Sequence, residues 1–253
     1  MKLFFREMGE GQPLIILHGL FGSSDNWLTI GKALSEKYKV YLLDQRNHGQ
    51  SPHSNEFNYS SMALDLEEFI QQQQIANPII IGHSMGGKTV MQYAVNNPNS
   101  WMKMVVVDIA PKAYPVHHDS ILEGLNSLDL TGLSSRGEAD KYLAEYIPEV
   151  GVRQFLLKNL NRDSGGFNWK INLPVITSNI EIIGEGLNGN LKDSKPVLFI
   201  RGRNSNYIKD SDFTLIEESF PNAQIETVEN AGHWVHAEQS DNFMAVLITF
   251  LNR

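Results

Sequence analysis

Ser84 stands at the centre of Gly82-His83-Ser84-Met85-Gly86, directly after the apolar run Ile79-Ile80-Ile81 and directly before the helix-like stretch 88–95, KTVMQYAV. G-x-S-x-G between a strand and a helix is the pattern of a nucleophile elbow, a turn so sharp that a Cβ two residues to either side of the serine would clash. Such a turn lifts the hydroxyl off the sheet and aims the N–H groups of the following helix at one point, where they favour a developing oxyanion. The five residues alone are a weak signal, and the bland alternative is a plain glycine-rich turn. Their strand and helix flanks make Ser84 a candidate covalent nucleophile. A serine hydroxyl needs a base to take its proton, and the base needs a third group to orient it. The chain offers His233 and His236 in 230–238, NAGHWVHAE, and carboxylates at Asp108, Asp210 and Asp212.

These groups have to be carried by something. Apolar runs of strand length recur at 3–6, 14–17, 40–44, 78–82, 104–108, 197–201 and 225–228. They are continuous rather than alternating, which predicts strands buried on both faces, as in a parallel sheet covered by helices. Helical segments fall between them: 23–38 with Ser24 or Asp25 as its cap, 60–74 with Met62, Leu66, Phe69 and Ile70 on one face, and 240–253 at the end. The fold class expected is α/β, an open and mostly parallel sheet of about seven strands flanked by helices. The rhythm breaks over 110–194, where helix-like pieces occur, no strand is evident, and a Gly/Asn-rich link runs through 184–196. That is too long for an ordinary connection. It predicts a small helical cap inserted into a core formed by 1–109 and 195–253.

Composition narrows the chemistry. The 253 residues contain no cysteine, which excludes disulfides, thiolate catalysis and Cys-ligated metal sites. A formal net charge of −8 argues against nucleic acid as a partner. No stretch approaches the 18 apolar residues of a membrane span, and the apolar run at the start is too short for a secretory signal. A cytoplasmic protein without stable membrane association is the expectation. His233 with His236, and the run His117-His118-Asp119, lack the acidic neighbours of a metal site, so neither metal nor cofactor is expected.

The segments LHGLFGSSDNW (17–27), LLDQRNHGQSPH (42–53), IGHSMGGKTVM (81–91), VVVDIAP (105–111) and NAGHWVHAEQSDNF (230–243) resemble, in order, those of the α/β-hydrolase superfamily. They are most similar to its YbfF-type esterases. The resemblance implies an α/β-hydrolase fold and a serine hydrolase with Ser84 as nucleophile and His233 as base. It implies an oxyanion hole from the backbone N–H groups of Met85 and Leu20, with Phe21 as the alternative to Leu20. His18, Asp44, Arg46 and His48 take structural roles in this reading, and Asn47 stands where a glycine is common. Many members carry their acid in the turn after the strand that here ends at Gly202, but Ser205 occupies that position. Asp108, at the end of the preceding strand, is the acid implied by the YbfF-type pattern, with Asp210 as its competitor.

The function expected is hydrolysis of short to medium acyl esters, or acyl thioesters, through an acyl-enzyme. Lactone, C–C bond or perhydrolase chemistry on the same three residues is the alternative, and a non-catalytic binding module the remote one. Phe21, Tyr114, Phe155, Phe167, Trp169, Ile182, Tyr207 and Trp234 are the candidates for lining the substrate pocket.

Overall fold

The computed structural model describes every residue except 116–117 and 190–194. Seven strands form one sheet: β1 (Phe5–Met8), β2 (Gln12–Leu17), β3 (Tyr38–Leu43), β4 (Ile79–His83), β5 (Lys103–Val107), β8 (Val197–Gly202) and β9 (Ala223–Val228). Their order is β1-β3-β2-β4-β5-β8-β9, parallel throughout except for the β1–β3 pair. The apolar runs have the expected physical cause. Ile15, Leu17, Ile80, Met104 and Val106 pack on one face of the sheet. Their neighbours Leu14, Ile16, Ile79, Ile81, Val105 and Val107 pack on the other. Successive side chains alternate across a strand, so a sheet covered on both sides needs an apolar residue at every position.

Helices α1 (Leu28–Leu34) and α11 (Ser240–Leu251) supply the second face, and α2 (Tyr59–Gln72) and α3 (Met85–Asn96) the first. The entry to α1 differs from expectation. Residues Ser24–Trp27 form a single 3₁₀ turn capped from Ser23, whose N–H donates to Asn26 Oδ1 at 2.7 Å. At α2, Asn58 is the cap, its Oδ1 accepting from the Ser61 N–H at 2.8 Å.

Between β5 and β8 the chain forms α4 (Asp119–Ser127), α5 (Arg136–Leu143), α6 (Val150–Leu156), α7 (Leu173–Ser178) and α8 (Ile180–Gly184). Their apolar faces make a third cluster with Phe21, Phe57, Tyr59, Met62 and Met85 of the sheet domain, so these helices bury themselves over one end of it. One expectation fails here. The segment read as strand-free contains a two-stranded antiparallel hairpin, β6 (Leu160–Asp163) and β7 (Gly166–Trp169). Each strand is four residues long, and polar residues interrupt both (Leu160-Asn161-Arg162-Asp163 and Gly166-Phe167-Asn168-Trp169), so neither offers the apolar run by which the other strands are recognised. After β8 come α9 (Phe213–Ser219) and, beyond β9, the short α10 (Val235–Glu238).

Candidate active site

Ser84 links β4 to α3 with φ 52° and ψ −117°. A side chain held in that region costs about 1–3 kcal/mol, and it persists only where the surroundings enforce it. Here they do. A Cβ on Gly82 would lie 2.1 Å from the Gly86 carbonyl oxygen, and one on Gly86 would lie 2.5 Å from that of Leu17. Asp108 leaves β5 in a similar state, with φ 51°. β4 and β5 are neighbours, His83 standing opposite Val107. The Ser84 N–H donates to the Val107 carbonyl at 3.0 Å, and that of Asp108 to the Ile200 carbonyl at 2.8 Å. Both residues therefore stand at the carboxyl edge of the sheet, where open α/β sheets build their sites.

His233 reaches this edge from the loop between β9 and α10. Its Nδ1 lies 2.7 Å from Asp108 Oδ2. Asp108 is fully buried, and its carboxylate also accepts from the Gly202 N–H at 3.1 Å and from the Ser205 hydroxyl. Burial pushes the Asp108 carboxyl up to about 7, against the pull of Ser205, Gly202 and the Arg201 charge. Ser205 thus supplies one of the hydrogen bonds that hold the Asp108 carboxylate. Asp210 and Asp212 face elsewhere: Asp210 pairs with Arg201 at 2.5 Å, and Asp212 with Lys112 at 2.7 Å.

The loop that carries His233 is braced by residues the sequence did not mark for that purpose. Glu238 accepts the N–H groups of Gly232 at 2.6 Å and Trp234 at 3.1 Å. His83 Nε2 lies 2.9 Å from the His233 carbonyl oxygen. A carbonyl only accepts, so that nitrogen carries a proton, and burial holds His83 well below its ordinary pKa and neutral. The Tyr207 ring stacks on the His233 imidazole at 3.9 Å and 18°. His236, the other candidate base, is buried and stacks on Trp27 at 4.0 Å. It too is held neutral, well below its ordinary pKa.

The loop after β2 carries the candidate oxyanion donors. The Phe21 N–H donates to His48 Nε2 at 3.1 Å. It is therefore engaged, and Leu20 is left as the candidate from this loop. His18 accepts from the Gln45 N–H at 3.0 Å, and Asp44 from those of Ser24 at 2.6 Å and Gln50 at 2.8 Å. Arg46 makes a two-pronged pair with Asp65 at 2.6 and 2.9 Å. Asn47 has φ 66°, the left-handed region in which Asn substitutes for Gly most readily.

Ser84, His233, Leu20 and Met85 line one cavity of about 270 Å³. Of the candidate lining residues, Phe21, Tyr114, Phe155, Tyr207 and Trp234 border it. Trp169 and Phe167 do not. They belong to the hairpin and pack in the third apolar cluster. Ile182 also turns away, because Ile180 and Ile183 occupy the face of α8 directed at the cavity. Lys88, one helical turn beyond Ser84, borders the cavity and was not foreseen. Its ammonium donates to the carbonyls of Gly184 and Glu185, and burial lowers its pKa to about 8. Of the run 117–119, Asp119 opens α4 and His117 lies outside the described residues. Among the described residues, no helix is long and apolar enough to cross a membrane.

Sheet order, elbow and cap position together define an α/β hydrolase, and the chain belongs to that family. The family profile for the alpha/beta hydrolase fold matches residues 12–129. Esterase YbfF of Escherichia coli is 36% identical, with 96% of this chain and 94% of that protein covered. The sn-1-specific diacylglycerol lipase ABHD11 of Xenopus laevis is 38% identical over 95% of this chain and 80% of the relative. A solved structure described as a marine microorganism esterase superposes with a TM-score of 0.95 at 45% identity, covering 98% of this chain and 99% of that one. The protein is a hydrolase of the carboxylesterase type.

Proposed function

We propose that the chain hydrolyses short to medium acyl esters through an acyl-enzyme on Ser84, with His233 as general base and Asp108 as the group that orients it. The observation that carries this reading is the 2.7 Å contact between His233 Nδ1 and buried Asp108, on the same sheet edge as a strained serine elbow. Asp108 fixes the proton on Nδ1, so that Nε2 is the nitrogen that takes the Ser84 proton as Oγ attacks the acyl carbon. The developing oxyanion is held by the N–H groups of Leu20 and Met85. On collapse the alcohol leaves with the proton from Nε2. Water then attacks the acyl-enzyme by the same route in reverse roles, releasing the acid and restoring the Ser84 hydroxyl. Segment 110–194 acts as a cap that encloses the acyl chain. The name of the frog relative, a diacylglycerol lipase, brings glyceride esters within the substrate class.

An organophosphonate probe tests the assignment. One adduct is expected, on the peptide containing Ser84, with labelling and p-nitrophenyl butyrate hydrolysis both lost in Ser84→Ala. Labelling of Ser84→Ala at the wild-type rate refutes it.

A further inference from the structure

Two buried polar side chains near the elbow, Gln45 and Thr89, have no part in the hydrolytic scheme. Gln45 lies just past the end of β3, and Thr89 lies in α3, one helical turn beyond Met85. Gln45 Nε2 donates to the His18 carbonyl at 2.7 Å, and its Oε1 accepts from the Thr89 hydroxyl at 2.9 Å. A carbonyl only accepts, so the amide has one orientation, nitrogen toward His18 and oxygen toward Thr89. The side chain therefore joins the loop after β2, two residues before Leu20, to the helix that begins at Met85. Resting on the scheme in which the N–H groups of Leu20 and Met85 hold the oxyanion, we infer that Gln45 is a positioning residue: with Thr89, it fixes the spacing between those two donors.

The loop is held on both sides of Leu20. On one side His18 Nδ1 lies 2.8 Å from the Gly19 carbonyl oxygen and so carries the proton, which leaves Nε2 to accept the Gln45 N–H at 3.0 Å. Burial lowers the His18 pKa and favours that neutral ring. On the other side the Phe21 N–H is taken by His48, and the Gly22 N–H closes a turn onto the Gly19 carbonyl at 2.9 Å. The place of Leu20 thus follows that of His18. The helix meets the same carbonyl, because a Cβ on Gly86 would lie 2.6 Å from the His18 carbonyl oxygen. Backbone contact limits how closely loop and helix approach, and the Gln45 amide limits how far they part. Thr89 completes the strut. Its Oγ1 also lies 3.1 Å from the Met85 carbonyl oxygen. A hydroxyl has one proton to give, so without Gln45 it turns to that carbonyl alone, the bond a threonine makes within its own helix. Donors serve an oxyanion only at hydrogen-bond distance, and a misplacement of about 1 Å costs up to about 10²-fold in rate.

Three variants test this. Gln45→Met keeps the length of the side chain and removes both amide bonds, Thr89→Val removes the hydroxyl at nearly constant shape, and Thr89→Ser retains it. kcat and KM are measured with p-nitrophenyl butyrate, and Ki with an alkyl trifluoromethyl ketone. Ser84 Oγ adds to the ketone carbon, its proton passes to His233, and the carbonyl oxygen becomes an oxyanion between the two donors. In Gln45→Met kcat should fall about tenfold to a hundredfold with KM nearly unchanged, the mark of an interaction made only in the transition state. Ki should rise by the same factor, since the adduct resembles that state. Thr89→Val should show a smaller loss of the same kind, Thr89→Ser should stay near wild type, and the double variant Gln45→Met/Thr89→Val should be no poorer than Gln45→Met, because the two residues share one bond. If Gln45→Met does not fold, the two Thr89 variants decide the matter. Wild-type kcat and Ki in folded Gln45→Met or folded Thr89→Val overturn the inference, and so does a fall in kcat that leaves Ki in place; the hydrolase reading stands in each case. Ester hydrolysis by Ser84→Ala at the wild-type rate overturns the scheme beneath it.

Discussion

In the proposed scheme His233 accepts a proton at Nε2 only while Nδ1–H is held, and Asp108, the group beside Nδ1, is difficult to ionise where it lies. Asp108 is fully buried, and its carboxyl is pushed up to about 7. The carboxylate is the form that stabilises the imidazolium, so kcat/KM should rise with pH as Asp108 ionises through about 7. Ser205 donates to that carboxylate and favours its charged form. Ser205→Ala should therefore move the rise to higher pH, whereas a merely structural serine would leave the profile in place. Asp108→Asn should lower kcat by up to about 10⁴ in a folded protein. Asp210→Asn, which breaks only the partly exposed pair with Arg201, should stay near wild type. Inactivity of Asp210→Asn with an active Asp108→Asn would place the acid after β8 instead. The placing of Ser84 and Asp108 at one sheet edge was legible at the level of single residues. A serine forced to positive φ demands glycines around it, and an aspartate closing an apolar run must lie at a strand end. What could not be read were long-range pairings. The Phe21 N–H is engaged by His48, 27 residues on, and no local pattern announces that bond.

At the level of elements, legibility follows how many competing terms decide a segment. Strands β2, β4, β5 and β8 declare themselves because two-sided burial leaves only apolar choices. The β6–β7 hairpin does not, since its two short strands pair only with each other and are mostly only partly buried, so polar residues are tolerated in them. The junction of β4 with α3 is tightly constrained by backbone on both sides of the serine, and it should tolerate little. In Gly86→Ala the new methyl would sit 2.5 Å from the Leu17 carbonyl oxygen, which is backbone and cannot swing aside. We expect a loss above about 3 kcal/mol, beyond the usual range for overpacking because a strand must shift. Asn58→Ala removes the cap of the neighbouring α2 and should cost only about 1 kcal/mol. Urea midpoints of the two variants check the contrast, and equal losses would mean that the elbow tolerates a Cβ.

At the scale of the whole molecule, the segment between β5 and β8 is fastened to the rest of the chain at separated points. Tyr59 Oη donates to the Ile183 carbonyl at 2.7 Å, Asn159 Nδ2 to that of Phe21 at 2.7 Å, and the Asn172 N–H to that of Asn47 at 2.9 Å. Lys88 adds its bonds to Gly184 and Glu185 at the end of α8. Each joins residues far apart in sequence, so none of these contacts was legible in the sequence. The same wiring governs the order in which the molecule can become active. Ser84 and Asp108 meet through adjacent strands, but the bond from Asp108 to His233 closes a loop of 125 residues and requires β8 and β9 to have joined the sheet. Closing so long a loop costs entropy that is recovered only when the late strands dock. On dilution from denaturant, recovery of ester hydrolysis should therefore lag the far-ultraviolet dichroism of the helices, and simultaneous recovery would contradict this. On the proposed roles, the helix that follows the serine can form early and the histidine should arrive last, so that a half-folded chain would carry a hydroxyl with no base to activate it.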